Sequence, residues 1–452
     1  MITERLELFK EVSETMLTDL NRFVEPYGQA LPDARYAASL HQLVVGLLAA
    51  RSPHLTKAAA QTSDQTSTAW ARTKCFYRLL TTPRFTHRIW LKQMYADARR
   101  VADEAADRRI VVALDPVNFE NPYTRKLEGI SKVRKNTPPG SLTDRPARIT
   151  YGYPAIIAQI VNLDQLAVPY ARLFSYQTQD FVSENQELKR AMRTIRTVLR
   201  GHIVCIVADA GLDDQKMFAF AGQCGLEFIF RGSHDRWIEV YNPHLDRWEE
   251  EKLKDLVATM PQAFRFQTSF THAGRTKTAT VTLDWLQIRI PGSDQILWMI
   301  VSESKFFSQP LVLITNRPVT NIFQAKQIYK DWRLRPTIEH LYRFIQEEGL
   351  DIEKIRLHKL ERRRRELTLI LVAALFVLRL PHLWSPAVLS WLRQLGSGIA
   401  GTSMDRHGPY LFLLGFQAVL TALAVLESFL KSPRETAAVF PLASETVEGT
   451  YG

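Results

Sequence analysis

"RIVVALDPVNFEN", residues 109–121, is a short β-branched run that reaches an aspartate, Asp115, and is followed at once by a proline. Such a run suits the pleated surface of a strand, so the stretch reads as a strand ending on Asp115. A second run of the same texture, "HIVCIVADAGLDDQKMFAF" (202–220), ends on Asp209 and passes into a helix. Between them "YPAIIAQIVNLDQLAVPYARLF" (153–174) reads as two more strands and "ENQELKRAMRTIRTVL" (184–199) as a helix. The order strand, hairpin, helix, strand, helix predicts a mixed α/β sheet.

Outward from this core the texture changes twice. Residues 1 to about 105 carry apolar residues at helical spacing, as in "YAASLHQLVVGLLAA", and their short helices suit either a helix-turn-helix-like reader of DNA or an ordinary bundle. The first of these readings puts Arg72, Lys74 and Arg78 on the exposed face of the last helix. Residues 236 to 322 are mostly strand-like, with one charged helix expected in "LDRWEEEKLKDLVATM" (245–260). A helix carrying Glu339 follows, then the basic stretch "KIRLHKLERRRRE" (354–366), the apolar helix "LTLILVAALFVLRL" (367–380) and a helical tail that turns irregular from about 432.

Composition narrows the function classes. The chain has 452 residues, 46% hydrophobic and 23% charged, which indicates a globular protein of two or three domains. Its formal charge of +11 favours a polyanionic partner, with nucleic acid the default over an acidic membrane surface. Cys75, Cys205 and Cys224 have no C-x-x-C spacing, which argues against a disulfide framework or a zinc ribbon and suits a reducing compartment. The start, "MITERLELFKEVSETML", has acids where a secretory signal needs bases. Residues 408–426 are uncharged and fit either a membrane span or a buried helix. No phosphate-binding G-x-x-x-x-G-K-[ST] loop, G-x-S-x-G elbow or clustered His/Cys set is present, which removes nucleotide-driven, serine-hydrolase and zinc-enzyme readings.

Three carboxylates remain. Strand-end acids such as Asp115 and Asp209 are held rigidly at a sheet edge, where ligands of α/β sheets bind. In "RLRPTIEHLYRF" (333–344) the proline sets a helix start at Pro336, with Ile338, Leu341, Tyr342 and Ile345 as an apolar stripe and Glu339 and Arg343 together on its flank. A helix-borne Glu packed across the sheet completes a three-carboxylate site for Mg²⁺ or Mn²⁺. Two such ions about 3.5–4 Å apart serve in-line attack on a phosphodiester.

"VVALDPVNFEN", "IVADAGLDDQKMF" and "WRLRPTIEHLYRFIQ" resemble the three signature segments of DDE transposases of bacterial insertion sequences, most of all the insertion-sequence-four group. The resemblance covers roughly residues 106 to 380. It implies a ribonuclease-H-like α/β core in two parts, 106–235 and 323–380, interrupted by a β-rich insert, 236–322, with a helical DNA-binding region at 1–105 and a helical C-terminal region at 381–452. The 130 residues between Asp209 and Glu339 leave room for that insert. It further implies that Asp115, Asp209 and Glu339 bind two Mg²⁺ ions, for which Mn²⁺ can substitute, and that the chain cuts and joins double-stranded DNA at terminal inverted repeats and a target. The implied assembly is a homodimer in the bacterial cytoplasm, on the nucleoid, with no membrane and no nucleotide cofactor. The other reading is a transposase-derived DNA-binding protein without catalysis.

The family's Tyr-x2-Arg-x3-Glu-x6-Lys signature is partly kept. Arg335 stands in register before Glu339, Trp332 takes the tyrosine place, and Gln346 replaces the lysine, whose charge Arg343 or Lys354 can supply. Ala210 follows Asp209 where the family often has Arg. DNA contacts are expected from Arg335, Arg343, Trp332, Arg333 and Lys354. Further contacts are expected from Arg125, Lys126, Arg134 and Lys135 in the basic loop "YTRKLEGISKVRKNTPPG" (123–140), and from Arg231 and Arg236 in "FRGSHDRW" (230–237). Some of the run Arg362 to Arg365 is expected to touch phosphate. Trp298 and Trp285 are candidates either for stacking on a base or for the core of the insert.

Overall fold

The computed structural model describes residues 2–62, 67–105, 109–135, 149–261, 263–272, 275–304, 309–404 and 408–431. Among them, helices α1 (Ile2–Gln29), α2 (Ala34–Ala50), α3 (Leu55–Ala60), α4 (Ala69–Thr81) and α5 (Arg88–Glu104) precede the first strand. Then follow β1 (Ile110–Glu120), β2 (Ser131–Arg134), β3 (Ile149–Ile160), β4 (Ala167–Leu173), α6 (Glu184–Val198), β5 (Val204–Ala208), α7 (Gln215–Gln223) and β6 (Glu227–Arg231). The strand-rich stretch supplies β7 (Trp237–Asn242), β8 (Arg247–Lys252), α8 (Leu253–Thr259), β9 (Phe264–His272), β10 (Arg275–Arg289), β11 (Leu297–Ser304) and β12 (Leu311–Thr315). Helices α9 (Ile322–Trp332), α10 (Thr337–Arg343), α11 (Leu360–Leu383), α12 (Pro386–Ala400) and α13 (Gly408–Lys431) complete the chain, with a π-helical segment at Phe344–Glu348.

All twelve of these strands join one mixed sheet in the order β2-β3-β1-β5-β6-β12-β11-β10-β7-β8, with β4 also on β3 and β9 also on β10. Strand β1 is antiparallel to β3 and parallel to β5, and β5 is parallel to β6. The strands of 236–322 therefore continue the same sheet through the antiparallel pairing of β12 with β6. Every residue of β5 and of β12 is buried, because helices cover both faces of the sheet and leave no polar side to alternate with. One face packs under α1, α2, α4, α10, α11 and α13, and the other under α6, α7 and α8. The helices near the N-terminus and those after residue 360 thus share one core.

The charged segment 245–260 departs from expectation. Its first half is strand β8, paired with β7 and closed by Asp246 at φ 49°, and only Leu253–Thr259 is helical. Hairpin pairing, with Trp248 opposite Tyr241 at 5.6 Å between rings, outweighs the helix preference of its glutamates.

The arginine run is also different. Arg363 and Arg365 are buried, and their guanidinium groups donate to backbone: Arg363 to Leu357 O (2.6 Å) and Ile355 O (2.9 Å), Arg365 to Leu79 O (3.3 Å) and Phe85 O. Arg364 donates to Leu173 O at 2.9 Å. A guanidinium carries five donors in a rigid fork, which suits it to collect stray carbonyls at a helix–sheet junction. These three arginines hold α11 against its neighbours and are not phosphate contacts. Arg72 is corrected likewise: it is buried and donates to Ala59 O at 2.9 Å and to Ser67 O, whereas Lys74 and Arg78 are exposed.

Two helices among the described residues are long and apolar enough to cross a membrane, Leu360–Leu383 and Gly408–Leu426. The first lies mostly inside the protein, and half of the second is buried, largely against α12. That contact is backbone on backbone: a Cβ on Gly415 would lie 2.1 Å from Leu392 O, and one on Gly396 2.1 Å from Leu411 O. Gly415→Ala is expected to force the two helices apart and lower stability by ~1–3 kcal/mol, read as a lower urea midpoint.

Candidate active site

The site is made by a mismatch in strand length. The parallel ladder between β1 and β5 ends at Ala113 and Val207, and β5 itself ends at Ala208. Strand β1 continues to Glu120 on the strength of its pairing with β3. Asp115 is therefore inside β1 rather than at its end, which corrects the sequence reading; what ends beside it is its neighbour. The N–H of Ile110 donates to Ile203 on the β5 side, and two-residue alternation puts the nitrogen of Pro116 on that same side. Its missing N–H faces the gap and removes no ladder bond. Across the gap, Asp209 caps a 3-10 turn, its Oδ1 accepting the N–H of Ala210 at 2.9 Å.

Two hydrogen bonds fix the Glu339 helix over this notch. At the end of α9 the indole N–H of Trp332 donates to Ala208 O, the last residue of β5, at 3.2 Å. From the far side of α10 the Tyr342 hydroxyl donates to the backbone carbonyl of Asp115 at 2.6 Å. Burial pushes that hydroxyl well above the usual phenol range, so it is a fixed neutral donor. Ile338, Leu341, Tyr342 and Ile345 are all buried, the stripe the spacing predicts. Glu339 is left on the open flank, midway between the two anchors.

Arg335 lies among all three acids. Its guanidinium nitrogens are 2.8 Å from Glu339 Oε1, 3.5 Å from Asp209 Oδ2 and 3.7 Å from Asp115 Oδ1. Its side chain is only 11% exposed, while those of Asp209 and Glu339 are 41% exposed, so the cluster has one buried wall and one open to solvent. Asp115 is the innermost acid. Burial, aided by the charges of Glu339 and Asp209, pushes its carboxyl up to about 7 against the opposing pull of Arg335. Arg231 adds a second cation 3.6 Å from Asp209 Oδ1. Among the described residues no three acids stand close enough together to hold a metal ion directly. Their donor chemistry nevertheless fits one: three hard carboxylates surround one position that already holds a positive charge.

The other expected contact residues divide sharply. Trp332 is 7% exposed and Arg236 is paired with Asp213 at 2.7 Å beneath the surface, so both pack the protein and neither presents a face to nucleic acid. Trp298 is half-buried against the core, and Trp285 stacks on Phe264 at 5.0 Å, so the core reading holds for both. Gln346, at the place of the family's lysine, donates to Asn118 O (3.3 Å) and Glu353 Oε1 (3.2 Å). Glu353 in turn accepts the N–H of Glu120 at 3.0 Å, a tie between the π-helical segment and β1 that nothing in the sequence signals. Lys354 is exposed and paired with Asp351. Arg333 lies over the Tyr329 ring, and Arg343 is half-buried on α10.

The basic loop is tethered over the part that is described. Glu128 accepts the Leu360 N–H at 2.7 Å and donates its own N–H to His358 O, and Ser131–Arg134 forms β2. Arg125, Lys126, Arg134 and Lys135 project from this anchored segment and are exposed; residues 136–140 lie outside the described residues.

No protein-family model and no curated protein sequence matches the chain. Among solved structures, the cryo-EM structure of the piggyBac transposase synaptic complex with hairpin DNA is similar at a TM-score of 0.37 and 10% sequence identity, over 90% of this chain and 78% of that one.

Because Asp115 is harder to ionise in the folded chain than in the unfolded one, its ionisation works against folding. That penalty is absent near pH 4 and grows as pH rises towards 7. Asp115→Asn is expected to raise Tm at pH 8 and to leave it nearly unchanged at pH 4. Equal Tm shifts at both pH values would contradict the burial of this carboxyl.

Proposed function

We propose that the protein is a metal-dependent DNA endonuclease and strand transferase of the DDE transposase type, acting at the ends of its own element. The observation that carries this is the convergence of Asp115, Asp209 and Glu339, from three distant segments, on the single guanidinium of Arg335. The arrangement β4-β3-β1-β5-β6, with three antiparallel strands followed by two parallel ones, supports the ribonuclease-H-like reading of the core.

Asp115, Asp209 and Glu339 would hold Mg²⁺, with Mn²⁺ as a substitute. Divalent ions in such a site supply an activated water or 3′-hydroxyl and stabilise the leaving oxygen. The protein's own part is positioning. Strand β1 and the turn after β5 fix two acids on rigid backbone, and the Trp332 and Tyr342 bonds set the third across from them. Arg335, with Arg231 beside it, gives a cation to the phosphate being cut, while Arg125, Lys126, Arg134 and Lys135 hold the backbone to one side. Joining two element ends calls for two copies of the chain.

A DNA-binding descendant without catalysis is the second reading. The observation in its favour is Arg335 itself, which already neutralises the acids that a metal would need.

The deciding experiment is cleavage of a labelled duplex carrying the element's end, with Mg²⁺, Mn²⁺ or EDTA. Wild type is expected to nick at the terminal base only with metal, and Glu339→Ala to lose activity by a factor on the order of 10³ or more. Equal end binding by both proteins, with no cleavage by either, would establish the second reading.

A further inference from the structure

A cavity of about 270 Å³ lies away from the acids, where α3 and α4 meet the start of α11. Its mouth carries Lys57 and Arg356, both exposed and neither with an ion-pair partner among the described residues. Tyr77, 42% exposed, forms one wall, and Leu55 and Leu357 make the lining partly apolar. Deep in the lining is Glu366, only 1% exposed, whose Oε2 has no hydrogen-bond partner among the described residues. An orphaned carboxyl oxygen facing a cavity calls for a ligand that donates to it.

The three features select a ligand class together. A bare oxyanion would suit Lys57 and Arg356 and leave Glu366 unsatisfied. A cation would suit Glu366 and be repelled at the mouth, where His54 is also held neutral by burial and by those same two charges. A phosphate joined to a flat ring with N–H groups satisfies both ends and uses the Tyr77 face as well. We infer that this cavity binds one unpaired nucleotide, its phosphate on Lys57 and Arg356, its base against Tyr77, and a base N–H donated to Oε2 of Glu366.

The nucleotide can come from free solution or from a DNA strand, and the position of the cavity favours a strand. The segment that carries Arg356 is tied to the far end of β1: Arg363 reaches both Ile355 O and Asn121 Oδ1, and Glu353 accepts the Glu120 N–H. Glu120 is five residues past Asp115, ~17 Å along the strand, which is a span of about five stacked nucleotides. This placement rests on the DNA-processing reading above; the chemistry of the cavity does not.

The test is fluorescence anisotropy with a hairpin duplex, the same duplex bearing a short single-stranded tail, and tails made abasic at one position at a time, all in EDTA. The tail is expected to tighten binding, and one abasic position to cancel the gain. Tyr77→Ala, Arg356→Ala and Glu366→Leu are each expected to remove the gain by about fivefold or more, as for loss of one base stack, while binding of the plain duplex is unchanged. A tail carrying 5-iodo-deoxyuridine is expected to crosslink to Tyr77. Abasic tails that bind as well as intact ones, or variants that keep the whole gain, would overturn the inference. Competition by inorganic phosphate as effective as that by dAMP would overturn it too, leaving an anion site only.

The two readings fail separately. Tail-dependent binding by a wild type that cleaves nothing removes the transposase proposal and keeps the cavity. Metal-dependent cleavage with no tail effect does the reverse.

Discussion

The unequal reach of two neighbouring strands is the constraint on which the rest depends. Because β5 stops at Ala208 while β1 runs on to Glu120, the sheet has a step at its centre rather than at its margin. A step leaves backbone carbonyls and an aspartate facing a gap, and polar groups in a gap must be satisfied. Trp332 and Tyr342 satisfy two carbonyls, one on each side, and in doing so fix α10 across the step. The third carboxylate is brought in by the same bonds that repair the backbone.

Three acids so placed repel one another, and the fold answers with a guanidinium. Arg335 is the residue before Pro336, where the chain has left α9 and has not yet entered α10. That position frees its side chain to lie along the step instead of along a helix. The fit is good for an arginine and poor for a lysine, since a planar fork can face acids in several directions while an ammonium is a single point. Beyond it, the π-helical turn at Phe344–Glu348 lets Gln346 bond both Asn118 O and Glu353, so the far half of β1 is held as firmly as the near half. Irregular helix turns of this kind are frequent beside functional sites.

Positive charge in this protein has two uses that composition does not separate. Arg72, Arg317, Arg363, Arg365 and Arg379 are buried and work as multiple donors to carbonyls and acids within the core. Lys57, Lys74, Arg78, Arg125, Lys126, Arg134, Lys135 and Arg356 are exposed. Only the second group bears on a polyanionic partner, so the excess of +11 is a smaller argument for nucleic acid than its size suggests. Four consecutive arginines, 362 to 365, look like a phosphate-binding run, yet three of them hold a helix in place.

The sequence by itself determined the elements around the acids. Apolar runs of β-branched residues mark β1 and β5 because a strand covered on both faces has no polar side, and the stripe Ile338, Leu341, Tyr342, Ile345 marks α10 because a helix on a sheet buries one face. It also picked out Arg335 and the three carboxylates, through spacing and resemblance. It did not show that β1 outlasts its neighbour, since strand ends are set by the partner's length and not by the strand's own residues. The tertiary structure alone decided which cations were spent inside, that Trp332 and Gln346 anchor the helix instead of meeting a ligand, and that an unpartnered Glu366 lines a cavity. Those outcomes turn on contacts between residues hundreds of positions apart, such as Arg365 with Leu79, and local sequence carries no trace of which carbonyl a buried donor will find.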